Sequence, residues 1–160
     1  MAGSRFEIWC GGGGGGAGCD NPSVLTLGDN LFQNTSTGVT VDLTGICDMQ
    51  FTDQIFNTNY YSFTPTESGS YRFSTCNSAT FDTKIAVMPT CDPAAGVLGC
   101  NDDGDGCSVF TSILSVEVTG GEEYFIVLGG YSEADRGTGT LSIEPFQVQL
   151  ALEGAHRFEV

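Results

Sequence analysis

Between Phe81 and Cys107 the chain runs through an apolar strand signal, a loop bracketed by Cys91 and Cys100, and the acidic run Asn101-Asp102-Asp103-Gly104-Asp105-Gly106. A strand must enter here, turn sharply among like charges, and be pinned by cysteines at both ends. Asn, Asp and Gly favour tight turns, and a carboxylate cluster repels itself unless a cation or water screens it.

Asn101, Asp103 and Asp105 occupy alternate positions and Gly106 follows, which is the first half of an EF-hand-like calcium loop. The twelfth position of such a loop is Ser112, so the bidentate glutamate is missing and the EF-hand is incomplete. The competing reading is a solvated acidic turn between strands. With Asp102 in the loop and Asp82 on the neighbouring strand, the expected ligand set is Asp82, Asn101, Asp102, Asp103 and Asp105. Oxygen-only donors favour calcium over zinc.

Phe81-Asp82-Thr83, the Cys100-Asn101-Asp102-Asp103 segment, Gly121-Glu122-Glu123-Tyr124-Phe125-Ile126-Val127-Leu128-Gly129-Gly130 and Gly139-Thr140-Leu141-Ser142-Ile143 follow one another in order. In this the stretch from about Tyr60 to Ile143 resembles the bacterial pre-peptidase C-terminal domain. The resemblance implies a jelly-roll β-sandwich, a non-catalytic appendage of secreted proteins similar to the collagen-binding domains of clostridial collagenases. It also implies calcium binding in some relatives.

The chain carries a formal charge of −15, with five basic residues against twenty acidic ones, so phosphate backbones and anionic lipids are repelled. Nucleic acid is thereby a poor partner, and no apolar run is long enough for membrane insertion. Seven cysteines, a single histidine and no Cys-x-x-Cys spacing argue for disulfides rather than zinc, hence for an oxidising, extracellular or cell-surface setting. The pairing expected is Cys91 with Cys100, Cys76 with Cys107 and Cys19 with Cys47, although spacing alone leaves connectivity open. Cys10 is left over, a candidate link to another molecule. Asn34-Thr35-Ser36 is an N-glycosylation sequon, which makes Asn34 a candidate glycan site on a surface loop.

Residues 1–10 read as a candidate donor strand, in which Phe6, Ile8 and Cys10 alternate with Glu7 and Trp9. Residues 11–18 read as a glycine-rich tether, since polyglycine has no side chain to bury and much entropy to lose. No Lys-Ser or Lys-Thr follows the glycines, so a phosphate loop is excluded. Residues 19–154 form the expected sandwich domain and 155–160 a C-terminal tail. Met1–Cys10 lacks the apolar core of a signal peptide, so an export signal has been removed or the natural start lies elsewhere.

Within the domain, short alternating segments recur between turn signals. They include Val24–Leu27 ended by Gly28-Asp29-Asn30, Val39–Leu43, a hairpin of Tyr60–Thr64 with Ser70–Ser74, and Ile113–Val118 joined to Glu123–Leu128 by a tight Gly120-Gly121 turn. Phe146–Leu152 is the last of them, and Cys47–Asn59 reads as irregular. Roughly ten such strands without an amphipathic helix predict an all-β jelly-roll β-sandwich with a flexibly tethered N-terminal strand.

The only histidine, His156, lies in the polar tail, and six cysteines are spoken for, so triad and thiol chemistry lack parts. The acids cluster where a cation or a turn explains them better than catalysis does. The expectation is therefore a non-enzymatic subunit of an extracellular fibre or appendage. It would assemble with copies of itself, the strand anchored by Phe6, Ile8, Trp9 and Cys10 entering a neighbour's sheet edge. The alternative is a module that binds polysaccharide or collagen-like substrate on behalf of a secreted enzyme, which makes glycans a second class of partner.

Overall fold

The computed structural model describes residues 18–35 and 38–146. Ten strands are formed: β1 (Ser23–Val24), β2 (Gly28–Asn34), β3 (Val39–Asp42), β4 (Gln54–Phe63), β5 (Gly69–Ser74), β6 (Thr83–Met88), β7 (Gly99–Asn101), β8 (Ile113–Val118), β9 (Tyr124–Gly130) and β10 (Gly137–Pro145). One sheet has the order β1-β4-β9-β6-β7, with β3 also paired to β4; the other has the order β2-β10-β5-β8. With β1 and β3 set aside, eight strands remain, and in chain order they stand as second-seventh-fourth-fifth and first-eighth-third-sixth. This is jelly-roll connectivity, the arrangement expected of the sequence. No helix among the described residues is long and apolar enough to cross a membrane.

Most consecutive strands lie in opposite sheets, β3–β4 and β6–β7 excepted, and this corrects two local readings. β4 and β5 do not form a hairpin: β4 pairs with β9 and β3, whereas β5 pairs with β10 and β8. Likewise β8 and β9 lie in opposite sheets, so Gly120-Gly121 closes an arch across the sandwich rather than a tight two-strand turn. The two arches brace each other, with Gly121 N donating to Pro65 O at 2.8 Å and Gly120 N to Ser68 Oγ at 2.8 Å. Turn residues specify where the chain bends and not which sheet it enters next.

Two further boundaries differ. Gly28-Asp29-Asn30 begins β2 instead of ending a strand, because Gly28 turns the chain at φ +91°. The Asn30 amide then closes the bend, donating to Thr26 O at 2.8 Å while Asn30 Oδ1 accepts from Thr26 N at 3.0 Å. β4 begins at Gln54, inside the stretch read as irregular, and absorbs a register shift between Phe56 and Asn59. The strand expected over Phe146–Leu152 lies, except for Phe146, outside the described residues.

The main core fills the space between the sheets, where Phe32, Tyr61, Phe73, Ile85, Leu128 and Ile143 are almost wholly buried. A second cluster, including Val41, Leu43, Ile55, Ala86, Met88 and Val127, covers the outer face of the larger sheet. That sheet is thus buried on both sides, which accounts for β6 reading as a continuous apolar run and not as an alternation. Two of the three disulfides, Cys19–Cys91 and Cys47–Cys100, staple this outer layer. Cys19 pairs with Cys91, Cys47 with Cys100 and Cys76 with Cys107.

The six cysteines are those anticipated, but only Cys76–Cys107 pairs as expected. The other two bonds tie the covering segments around Cys19 and Cys47 to the loop and strand after β6, so Cys91 and Cys100 each face a distant partner. The three pairs leave Cys10 outside the intrachain set. They place folding in an oxidising compartment.

Candidate functional site

β7 runs antiparallel to β6 with Ile85 opposite Asn101. Continuing that register past the strand end sets Asp102 opposite Lys84 and Asp103 opposite Thr83, next to Asp82. Asp82, Asp102 and Asp103 accordingly converge, each offering a carboxylate oxygen within 4.8 Å of the others.

The loop that carries Asp102 and Asp103 is fixed from several sides. Ser112 Oγ lies 2.7 Å from Asp102 O and 2.6 Å from Thr83 O, sharing its proton between the two strands. Ser112 N donates to Thr75 Oγ1, which is in turn 2.7 Å from Thr83 Oγ1. Gly104 is required sterically: a Cβ there would sit 2.6 Å from Ile113 Cγ2 and 2.7 Å from Cys107 Sγ.

Beneath the acids lies Lys84, the only lysine of the chain and fully buried. Its ammonium donates to the carbonyls of Thr52 and Gln54, stands 3.7 Å from Asp102 Oδ2, and lies 5.0 Å from the centre of the Tyr131 ring. Burial pushes the Asp82 carboxyl up to about 7, reinforced by Asp102, Asp135 and Asp103 and opposed by Lys84. Burial also raises Asp102 to about 6 against the pull of Lys84. Lys84 itself is lowered by burial, with Asp102 opposing. The pocket therefore holds more negative charge than its single cation neutralises.

Phe51, Phe110 and Tyr131 complete the walls of a cavity of about 300 Å³ over the three acids. Phe51 is 85% exposed and Phe110 62%, and both have left-handed backbones at φ +70° and +54°, uncommon for bulky residues.

The other expected ligands are elsewhere occupied or apart. Asn101 Oδ1 accepts from Ile113 N at 2.9 Å, so that side chain pins β7 to the start of β8. Asp105 is exposed and outside the converging group. Alternate spacing presupposed an EF-hand backbone, whereas here the acids are gathered by strand register.

Asn34 is also placed differently from expectation. It is buried, and its Nδ2, the atom that would carry a glycan, donates to Asn57 O and Leu128 O at 2.9 Å each, while its Oδ1 accepts from Asn59. This geometry speaks against a sugar on Asn34 and makes the residue a bridge from β2 to the opposite sheet. Phe6, Ile8, Trp9 and Cys10 lie outside the described residues.

A second feature had no sequence prediction. β2 ends its sheet, and among the described residues no strand pairs with its outer side. Gln33 O on that side is taken by Asn59 Nδ2 at 2.9 Å, so by ladder alternation the backbone groups of Leu31 and Asp29 point the same way. A groove of about 810 Å³ runs along this edge between the sheets, lined by residues including Val24, Leu25, Leu31, Phe32 and Tyr61. Val24 and Leu31 are each 76% exposed. Exposed apolar residues on an unpaired strand are the signal that would have found it; the turn reading of Gly28–Asn30 concealed it.

No protein-family model, no curated protein and no solved structure matches the chain. The likeness to pre-peptidase C-terminal domains rests on the short sequence blocks alone.

Proposed function

We propose that the protein is a structural subunit of an extracellular fibre or surface appendage, assembled head to tail by donation of its N-terminal strand into the β2 edge of the next copy. The open β2 edge and its apolar groove carry this reading. Unpaired edges are normally blunted by charge, proline or a covering segment; this one carries Asp29 but also presents Leu31 to solvent, across the groove from the exposed Val24 of β1. Arg5–Cys10 has the matching properties: Phe6 and Ile8 alternate to fill pockets, and an extended hexapeptide spans about 20 Å, comparable with the seven residues of β2.

The eight-residue segment 11–18 reaches at most about 29 Å, enough to cross to a neighbour, and Cys10 is available for a covalent link. Deleting residues 1–10 should leave the sandwich folded, with an unchanged circular-dichroism spectrum, and abolish polymers in sedimentation and negative-stain microscopy. A synthetic peptide of residues 1–18 should then bind the truncated protein. Polymers formed by the truncated chain would end the proposal, as would a full-length chain that stays monomeric at every concentration.

The rings of Phe51, Phe110 and Tyr131 around the acidic cavity favour a second reading, a polysaccharide- or collagen-binding module like that implied by the pre-peptidase resemblance. Exposed aromatic faces suit sugar rings and proline-rich strands. Co-sedimentation with insoluble polysaccharide and with collagen, lost in a Phe51→Ala/Phe110→Ala variant, would support it. A pure fibre subunit should bind neither.

A further inference from the structure

We propose that Asp82, Asp102 and Asp103 form a calcium site, independent of how the chain assembles and different in ligands from a site read off loop spacing. Three acids in one place are not enough, because exposed carboxylates cluster often without an ion. The decisive side chain is Asp102. It is 3% exposed, and neither of its carboxylate oxygens has a hydrogen-bond partner. Oδ2 is within ion-pair distance of Lys84, but Oδ1 has no such contact, and the residue lines the cavity shared with Asp82 and Asp103. Asp82 Oδ1 is likewise buried without a hydrogen bond. Buried acceptors without donors are costly and rare in folded proteins, and a cation among them satisfies all three oxygens together.

The charge and the donor set select the ion. Three carboxylates against one ammonium leave two negative charges, the complement of a divalent cation. All donors are hard oxygens, which disfavours zinc and copper. Calcium accepts six to eight oxygens in irregular arrangements, from carboxylates binding through one or both oxygens together with water, whereas magnesium requires a near-ideal octahedron. The cavity has room for the waters that complete such a shell.

The test uses the full chain freed of metal by chelator and dialysis at pH 7.5, with calcium or magnesium chloride added. Calorimetric titration should give one calcium per chain with Kd of about 10⁻⁴–10⁻³ M, the range of extracellular modules. At calcium 100-fold above that value, Tm should rise by about 5–10 °C, and magnesium should give a smaller shift. Asp103→Asn, at one of the two partly exposed ligands, should weaken binding at least tenfold, and Asp82→Asn should do the same if the first variant folds poorly. Asp105→Asn should bind as the parent does. No calcium-dependent shift in the parent would overturn the site, as would an Asp105→Asn variant that loses binding while Asp103→Asn retains it.

Discussion

The acidic end of the sandwich and the β2 edge are unsatisfied in opposite ways. At the acidic end the backbone is held by Ser112, Thr75, Thr83 and the Cys76–Cys107 bond, yet the charges do not balance. At the β2 edge no large charge imbalance exists, yet backbone groups and apolar side chains lack a neighbour. A rigid frame around excess charge suits a small ion, which needs fixed ligands and little area. An open edge with a long groove suits a strand, which brings its own hydrogen bonds and side chains. Two sites on one domain thus call for partners of different kinds, and perturbing either should leave the other unmoved.

The largest effect should come from Lys84→Met. Methionine keeps the volume but removes the only buried cation beside Asp102, and breaking a buried ion pair from one side costs about 3–5 kcal/mol. Denaturant unfolding in chelator should show that loss. Calcium should recover more stability in this variant than in the parent, because three carboxylates would then face the ion without a competing ammonium. A variant as stable as the parent in chelator would show that Lys84 does not offset the acids.

Lys84 also shows where the sequence was legible and where it was not. One lysine inside Thr83–Met88, in a chain of charge −15, was a visible anomaly. It passed as part of a strand because its partners, Asp102 and the carbonyls of Thr52 and Gln54, lie 18 to 32 residues away. The all-β class and the six paired cysteines were readable, since alternation and cysteine number are local or compositional. The pairing of Cys19 and Cys47 was not, because it depends on which segments cover the outer face of the larger sheet. Ser112 is the clearest instance. Read as the wrong residue at the twelfth position of a calcium loop, it is the hydroxyl that holds Asp102 to Thr83. The acids were found by type, and their true grouping came from strand register.

A smaller effect, of several degrees in Tm, should follow pH in the metal-free protein. Asp82 and Asp102, with folded values of about 7 and about 6 against an ordinary 3.8, bind protons more tightly folded than unfolded. Their contribution to stability is therefore greatest at low pH and is lost as pH rises from about 4 through 7. Asp103, Asp135, Asp53 and Lys84 face the same region. The lowered Lys84 acts with opposite sign, favouring the fold as pH rises between its folded value and 10.5. Melting curves from pH 4.5 to 7.5 should fall in chelator and flatten in calcium. Asp82→Asn should flatten them without calcium, separating this pair from the general repulsion of an acidic chain. An equal slope in that variant would assign the effect to net charge. The β2 edge should not respond.

The smallest effect on stability, and the sharpest separation of the two regions, is expected from Leu31→Lys. Leu31 is largely solvent-exposed, so the change should alter monomer stability by no more than about 0.5 kcal/mol. Its consequences for assembly are of another order. An incoming strand would have to bury an ammonium in a groove beside Val24 and Phe32 whose one lining carboxylate is Asp29. Edge lysines are a common natural device against such pairing. Sedimentation should show monomers where the parent forms polymers, while the calcium-dependent rise in Tm stays intact. Retained polymers would move the contact away from β2. A lost calcium response would mean that the two regions are coupled through β10, the strand that pairs directly with β2 and follows the Tyr131–Asp135 loop beside the acids.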